Sequence, residues 1–180
     1  GKGIILGGIT GVPPSQVVIL GAGTVAEYAA RAAIGLGAEV KVFDNHLYKL
    51  RRLKHNLGTQ LYTSTLDTFA LSQQIRRADV VIGALTVEDG RIPFMVPEEM
   101  VASMAPGSIV IDVSIDQGGC FETSEMTSHS QPVFRKYDVV HYCVPNIASR
   151  VPRTATNALS NIFTPILQEI HQHGGINEVL

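Results

Sequence analysis

The sequence predicts an α/β fold of the doubly wound type, in which helices cover both faces of a six-stranded, mostly parallel sheet. Three observations support this prediction. Strand-like and helix-like segments alternate along the chain. Three of the strand-like segments are almost continuously apolar, which is typical of central strands buried on both faces. The first of these runs directly into a glycine-rich turn, as a strand does where it connects to a helix at a ligand-binding edge.

Each element follows from its local pattern. We expect strands at residues 16–20, 39–43, 60–63, 79–84, 108–113 and 139–144, and helices at residues 24–36, 46–57, 67–77, 97–103 and 154–172. The connection over residues 114–138 is less regular. The last helix carries an apolar face that we expect to be packed: Leu159, Ile162, Phe163, Ile166 and Leu167.

The turn after the first strand reads Gly21-Ala-Gly-Thr-Val-Ala26. Gly21 permits the tight turn, Gly23 lets the backbone approach a pyrophosphate, and Ala26 allows close contact between helix and sheet. The helix that begins near Thr24 offers unpaired N–H groups and the positive end of its dipole to phosphates. The turn therefore predicts a Rossmann-type dinucleotide site whose candidate residues are Gly21, Ala22, Gly23, Thr24 and Val25.

Asp44 ends the second predicted strand, where the acidic residue of this fingerprint is expected. Its carboxylate can accept both ribose hydroxyls of an adenosine, and it would repel a 2′-phosphate. This favours NAD over NADP. Arg51 and Arg52 follow within one or two helical turns, so they either reach toward a 2′-phosphate or are ordinary solvated helix arginines.

Composition excludes several classes of protein. The chain has 180 residues, of which 45% are hydrophobic and 17% charged, with a formal net charge of −2, so it is neither disordered nor basic enough to suggest nucleic-acid binding. We find no apolar run of membrane-spanning length. Two cysteines are too few for a disulfide framework, and no cluster has metal-ligand spacing. We therefore expect no metal and a cytoplasmic location.

Polar residues after the later strands are further candidates. Asp116 lies in a loop-like Asp-Gln-Gly-Gly run and is the better catalytic candidate, whereas Asp112 lies within the strand pattern and is expected to cap backbone donors or orient a loop. Gly118 and Gly119 indicate either positive φ or close backbone approach. Asn146 follows the sixth strand and is either a cofactor ligand or a turn residue.

These motifs resemble the NAD-binding domain of the alanine dehydrogenase family, in the superfamily shared with the alpha subunit of proton-translocating transhydrogenase. The likeness covers nearly the whole chain and is carried by the segments Leu6-Gly-Gly-Ile-Thr-Gly-Val12, Val18-Ile-Leu-Gly-Ala-Gly23, Ala78-Asp-Val-Val-Ile-Gly-Ala84, Ile111-Asp-Val-Ser-Ile-Asp-Gln-Gly-Gly-Cys-Phe-Glu122 and His141-Tyr-Cys-Val-Pro-Asn146. The Asp-Gln-Gly-Gly run is similar to the dehydrogenase branch. The resemblance to the dehydrogenase branch rests mainly on Asp116.

The resemblance implies roles for individual residues. Asp44 would hold the adenine ribose, with Lys49 near the adenosine end and Leu85 and Thr86 flanking the cofactor. Asp116 would contact the reacting amino group on the nicotinamide side. The remaining implied cofactor contacts are Ser64, Ile115 and Asn146. The chain departs from the family pattern around Asn146, at Pro145, Ile147 and Ala148. It also departs near Ser64, where the segment is a few residues longer.

The resemblance also implies an activity, the reversible oxidative deamination of L-alanine to pyruvate with NAD. We expect residues 1–180 to form one NAD-binding domain, which belongs to a longer two-domain enzyme. We expect the N-terminal substrate domain, which would bind alanine or pyruvate together with this domain, to lie outside this chain. The isolated chain would then be inactive, and a homo-oligomer is expected. Two alternatives remain open at this stage, namely the nucleotide-binding domain of a transhydrogenase alpha subunit and a non-catalytic nucleotide-binding module.

Overall fold

The computed structural model describes residues 2–86, 92 and 96–172. The chain divides into two compact units, residues 1–145 and 146–180, each described by itself. In the first unit the strands are β1 (Gln16–Leu20), β2 (Glu39–Phe43), β3 (Tyr62–Ser64), β4 (Val80–Gly83), β5 (Ile109–Asp112), β6 (Val133–Lys136) and β7 (Val139–Tyr142). Its helices are α1 (Thr24–Gly35), α2 (Leu47–Leu57), α3 (Thr68–Ile75) and α4 (Glu98–Ala102).

The strands of the described residues form one sheet in the order β3-β2-β1-β4-β5-β7-β6. All neighbours pair in parallel except β6 and β7. The chain runs from β1 outward to β3 on one side and from β4 outward on the other, so the order reverses between β1 and β4. In such sheets the ligand lies at this switch point, outside the carboxyl ends of the strands.

Helices cover both faces of the sheet, as the sequence predicts. Alternate residues of β1 enter different cores: Val18 packs with residues of α3 and α4, whereas Val17 and Ile19 pack with residues of α1 and α2. The side of α1 that faces the sheet consists of buried alanines. Because these side chains are small, α1 lies close to β1, which confirms the expected role of Ala26 in helix–sheet contact.

The sheet contains seven strands within the described residues, so the expectation of six is wrong by one edge strand. The missing strand is β6, which lies in the less regular connection over residues 114–138. It is only four residues long, and it pairs antiparallel with β7 through a turn in which Tyr137 and Asp138 both have positive φ. A non-glycine turn of this kind carries no glycine signal, and an isolated four-residue strand shows little periodicity.

The second unit contains a short 3-10 helix, Ile147–Arg150, and the long helix α5 (Pro152–Gln172). The helix is predicted correctly, but its packing is not. Its five apolar residues from Leu159 to Leu167 are 44–62% exposed, and the described part of α5 contains no buried residue. An amphipathic pattern identifies a helix and its apolar face, but it does not identify the surface that covers that face.

Candidate functional site

The glycine turn is shaped by contact with the neighbouring strand end. Gly21 has a φ of 105°, and a β-carbon there would stand 2.8 Å from the carbonyl carbon of Ala84 and closer still to its oxygen. Gly23 has an ordinary φ of −81°, and a β-carbon there would meet nothing within 4 Å. Gly21 is therefore required by the fold itself, whereas Gly23 borders open space at the start of α1.

Asp44 holds this turn through hydrogen bonds. One carboxylate oxygen accepts from the Ala22 N–H at 2.7 Å, and the other accepts from the His46 N–H at 2.7 Å and lies 3.0 Å from His46 Nδ1. The Asp44 carboxylate accepts from two backbone N–H groups, and it acts as an acceptor toward the His46 ring as well. We therefore assign the hydrogen in this contact to His46 Nδ1. Asp44 is buried, and it connects β2 to the turn that follows β1.

A cleft with an empty volume of about 350 Å³ opens beside this carboxylate. Its lining residues come from the ends of β1, β2, β3 and β4: Gly21, Gly23, Asp44, Asn45, His46, Lys49, Leu66, Ala84, Leu85 and Thr86. Arg51 and Arg52 are exposed and do not line it. The Asn56 side chain lowers the pKa of Glu27 on α1 by a hydrogen bond, and the positive charge of Arg52 makes a smaller contribution in the same direction.

A second cleft, with an empty volume of about 410 Å³, continues from the first. It is lined by Val25, Ala84, Leu85, Thr86, Val113, Ser114, Asp116 and Gln117. The two clefts share the segment 84–86, which follows β4. Together they form a groove across the carboxyl ends of the central strands, with Asp44 at one end and Asp116 at the other. We call this the strand-end groove.

The two aspartates after β5 have different environments. Asp116 is exposed on a 3-10 helix, Val113–Gln117, and lines the strand-end groove. Asp112 is fully buried and accepts hydrogen bonds from the backbone N–H groups of Ser114 and Cys120. The prediction that Asp112 caps backbone donors is confirmed. The prediction that Asp116 is catalytic stays a prediction, although Asp116 lies at the surface where a ligand can reach it.

The comparisons with known proteins cover the whole chain. Residues 1–180 match the family model described as alanine dehydrogenase/PNT, C-terminal domain. The chain belongs to this family. An alanine dehydrogenase from Mycolicibacterium smegmatis is 42% identical over 174 residues, covering 97% of this chain and 47% of that protein. One from Bacillus subtilis is 41% identical over 177 residues, covering 98% of this chain and 47% of that protein.

Solved structures separate the two branches of the alanine dehydrogenase/PNT family. The structure of an L-alanine dehydrogenase has a TM-score of 0.91 and 42% sequence identity to this chain. The match covers 97% of this chain and 48% of the L-alanine dehydrogenase chain. The structure of a transhydrogenase from Sinorhizobium meliloti has a TM-score of 0.67 and 27% sequence identity to this chain. The match covers 78% of this chain and 40% of the transhydrogenase chain. The family resemblance seen in the sequence is confirmed, and the transhydrogenase alternative is less favoured. The chain spans about half the length of the curated relatives it matches.

Seven of the twelve residues expected to contact the cofactor line the strand-end groove, and four others of the first unit do not: Ala22, Thr24, Ser64 and Ile115. Ser64 ends β3 and accepts from the Asp44 N–H through its carbonyl, while Leu66, two residues later, lines the first cleft. Ile115 is buried. Asn146 belongs to the second unit, where it has a φ of 50° and precedes the 3-10 helix, so the turn-residue interpretation describes its backbone. The cofactor contacts of all twelve residues stay predictions.

Sequence reasoning missed three residues of the first cleft. Asn45 and His46 follow Asp44 directly, and the rule that sites follow strand ends would have included them. Leu66 also follows a strand end, that of β3, but as an apolar loop residue it carries no polar or glycine signal. The Asn45 side chain accepts a hydrogen bond from the Leu66 N–H at 3.1 Å, which holds that loop beside the cleft.

The described residues hold neither an activated thiol nor a cluster of metal-ligating side chains. Burial, and then the charge of Asp112, raises the pKa of the Cys120 thiol well above its usual value, and burial raises the pKa of Cys143. Both cysteines are free thiols. Among the described residues no group of three or more metal-ligating side chains comes together, and none of their helices is long and apolar enough to cross a membrane.

Proposed function

We propose that this chain is the NAD-binding domain of an alanine dehydrogenase, which converts L-alanine, water and NAD⁺ into pyruvate, ammonium, NADH and a proton. The observation that carries this proposal is the strand-end groove, which runs from the Asp44 carboxylate past the glycine turn to the Asp116 carboxylate. An adenine–nicotinamide dinucleotide needs an elongated site with a ribose acceptor at one end, and this groove has that shape and chemistry.

The residues of the groove fit such a ligand. Gly23 has open space where a side chain would lie, and the first N–H groups of α1, a twelve-residue helix, begin beside it without a side-chain cap. This arrangement suits a pyrophosphate, because helix N-termini bind anions. Asp44 would accept ribose hydroxyls with the lone pairs that its backbone donors leave, and its negative charge disfavours the 2′-phosphate of NADP.

The nicotinamide half of the groove would carry the reaction. When bound, NAD supplies the hydride acceptor. Asp116 would lie beside the reacting carbon and contact the amino group of the substrate. Leu85 and Thr86 would flank the cofactor and exclude water from one side of it. The groups that hold the alanine carboxylate would belong to a substrate domain outside this chain, which is consistent with the share of the relatives that the chain covers.

The first experiment is a fluorescence titration of the purified chain with NADH and, as the matched control ligand, NADPH. We expect NADH to bind at least about tenfold more tightly, a difference of about 1.4 kcal/mol. We also expect the chain by itself to produce no NADH from alanine and NAD⁺. Equal affinity for both ligands would refute the selective role of Asp44, and substantial turnover would refute the need for a separate substrate domain.

The role of Asp116 is tested in an enzyme that includes the substrate domain. Asp116→Asn removes a charge that the reaction needs but keeps the size of the side chain, so kcat should fall much more than NADH affinity. The neighbouring variant Gln117→Glu is a control for added charge at the groove. If Asp116→Asn reduced binding and kcat equally, Asp116 would be a cofactor ligand. If the enzyme bound NADH but had no alanine activity, a non-catalytic binding module would be favoured.

We also propose that the longer protein is a cytoplasmic homo-oligomer. Two free cysteines and the absence of a membrane-spanning helix from the described residues are compatible with that location. Sedimentation of the longer protein tests the oligomeric state, and a monomer at micromolar concentration would contradict it.

A further inference from the structure

Asp112 is the centre of a hydrogen-bond cluster beneath the nicotinamide half of the groove. One oxygen of its carboxylate accepts from the Ser114 N–H at 3.0 Å. The other accepts from the Cys120 N–H at 2.9 Å and from the Ser124 hydroxyl at 2.6 Å. A single side chain therefore ties down both ends of the segment 113–124, and Asp116 lies within that segment.

The cluster also reaches the opposite wall of the groove. The Ser114 hydroxyl donates to the Leu85 carbonyl oxygen at 2.7 Å. Leu85 belongs to the segment 84–86 that both clefts share. The chain of contacts therefore runs from Asp112 through Ser114 to Leu85, and it links the segment that carries Asp116 to the end of β4.

Two glycines show how closely this cluster is packed. Gly119 has a φ of 76°, and a β-carbon there would stand 2.8 Å from Asp112 Oδ2. A β-carbon at Gly83 would overlap the sulfur of Cys120 and stand 3.3 Å from Asp112 Oδ1. Both features expected for the Gly118–Gly119 pair are present, since Gly118 also has positive φ. The backbone therefore approaches the Asp112 carboxylate closely at Gly83 and Gly119, where a larger residue would not fit.

We propose that Asp112 is a positioning residue, which holds Asp116 and the segment 84–86 in the places that the nicotinamide half of the groove requires. Asp112 is fully buried and does not line either cleft, so it acts through its partners and does not contact the ligand. The inference rests on the proposed function, because it assigns the nicotinamide to this half. A carboxylate that merely stabilised the core would instead affect both halves of the groove alike.

The test compares Asp112→Asn with Ser108→Ala in the 180-residue chain. The asparagine keeps the size of the side chain, but its NH₂ group cannot accept from Cys120 N–H or the Ser124 hydroxyl, so at least one bond of the cluster is lost. Ser108 is also fully buried, and its hydroxyl donates to the Ala78 carbonyl at the amino ends of the strands. This control removes a buried hydrogen bond far from the groove.

Two readouts separate positioning from general stability. We expect Asp112→Asn to bind NADH within about tenfold of the wild-type affinity, because the Asp44 end is intact, while the emission of bound NADH shifts toward that of free NADH. We also expect the buried Cys120 thiol to react with a disulfide reagent at least about tenfold faster, because the segment opens locally. Ser108→Ala should lower the melting temperature without changing either readout.

The inference is overturned if Asp112→Asn matches Ser108→Ala in both emission and thiol reactivity. If Asp112→Asn does not fold, Ser124→Ala replaces it, since that variant keeps the Asp112 carboxylate and removes one of its donors, together with the Ser124 oxygen that the Cys143 thiol contacts. Absence of NADH binding by the wild-type chain would refute the proposed function, and the thiol comparison would then still decide whether Asp112 holds the segment.

Discussion

Two glycines only two positions apart should respond to the same substitution in opposite ways. Gly21→Ala places a methyl group against the backbone carbonyl of Ala84 at a φ of 105°. Such a backbone conformation costs a non-glycine residue about 1–3 kcal/mol, and the overlap adds to that cost because a strand end cannot rotate away as a side chain can. Gly23→Ala meets no atom within 4 Å at an allowed φ, so the fold accepts it.

The magnitudes follow from these environments. For a domain of this size, a loss of about 3 kcal/mol lowers the melting temperature by about 6–12 °C, and Gly21→Ala should lose at least that much. Gly23→Ala should change stability by less than about 1 kcal/mol, because a poorer N-cap is offset by a less flexible unfolded chain. Its methyl group occupies the space assigned to the pyrophosphate, so NADH affinity should fall at least about tenfold.

The assay is thermal or urea unfolding of both variants, together with NADH titration. The expected pattern is a large loss of stability for Gly21→Ala and a selective loss of binding for Gly23→Ala. If Gly23→Ala bound NADH as the wild type does, the pyrophosphate could not lie against the start of α1. If Gly21→Ala were as stable as the wild type, the close approach of β1 and β4 ends would be wrong.

Two further predictions concern buried ionisable groups. In Asp44→Asn, the backbone N–H of either Ala22 or His46 faces an NH₂ group and loses its acceptor. The free energy of unfolding, measured in urea, should therefore fall by about 1–3 kcal/mol. The difference between the affinities for NADH and NADPH, measured by titration, should shrink. Burial lowers the pKa of His141 in the folded chain. As the pH falls, the His141 ring therefore takes up a proton in the unfolded chain before it does so in the folded chain. The contribution of neutral His141 to folding stability is complete above about pH 6.5 and is lost as the pH falls toward the lower pKa of the folded state. Unfolding measured between about pH 5 and 7 should show this loss of stability in the wild type and a smaller loss in His141→Gln. Identical pH profiles for the two proteins would exclude His141 as the source of the loss.

Much of the fold could be predicted from the sequence because its signals are local. Strands β1 and β2 have the predicted bounds, since apolar runs that end at a glycine or an acid mark them clearly. The glycine turn and Asp44 were identified for the same reason. The edge strand β6 and the surroundings of α5 were not, because they depend on pairing and packing partners that the local pattern does not specify.

Local patterns in the sequence thus predict the class of the fold, the edge of the sheet that carries polar residues, and the family. The separate roles of those residues depend on contacts between segments that are distant in sequence. The tertiary structure brings Ala22 to Asp44, closes Gly21 against Ala84, and gathers distant donors around Asp112, while Asp116 is left at the surface. These contacts join residues that lie on different strands, and which strand ends become neighbours is fixed by the order of the sheet and the packing of its helices.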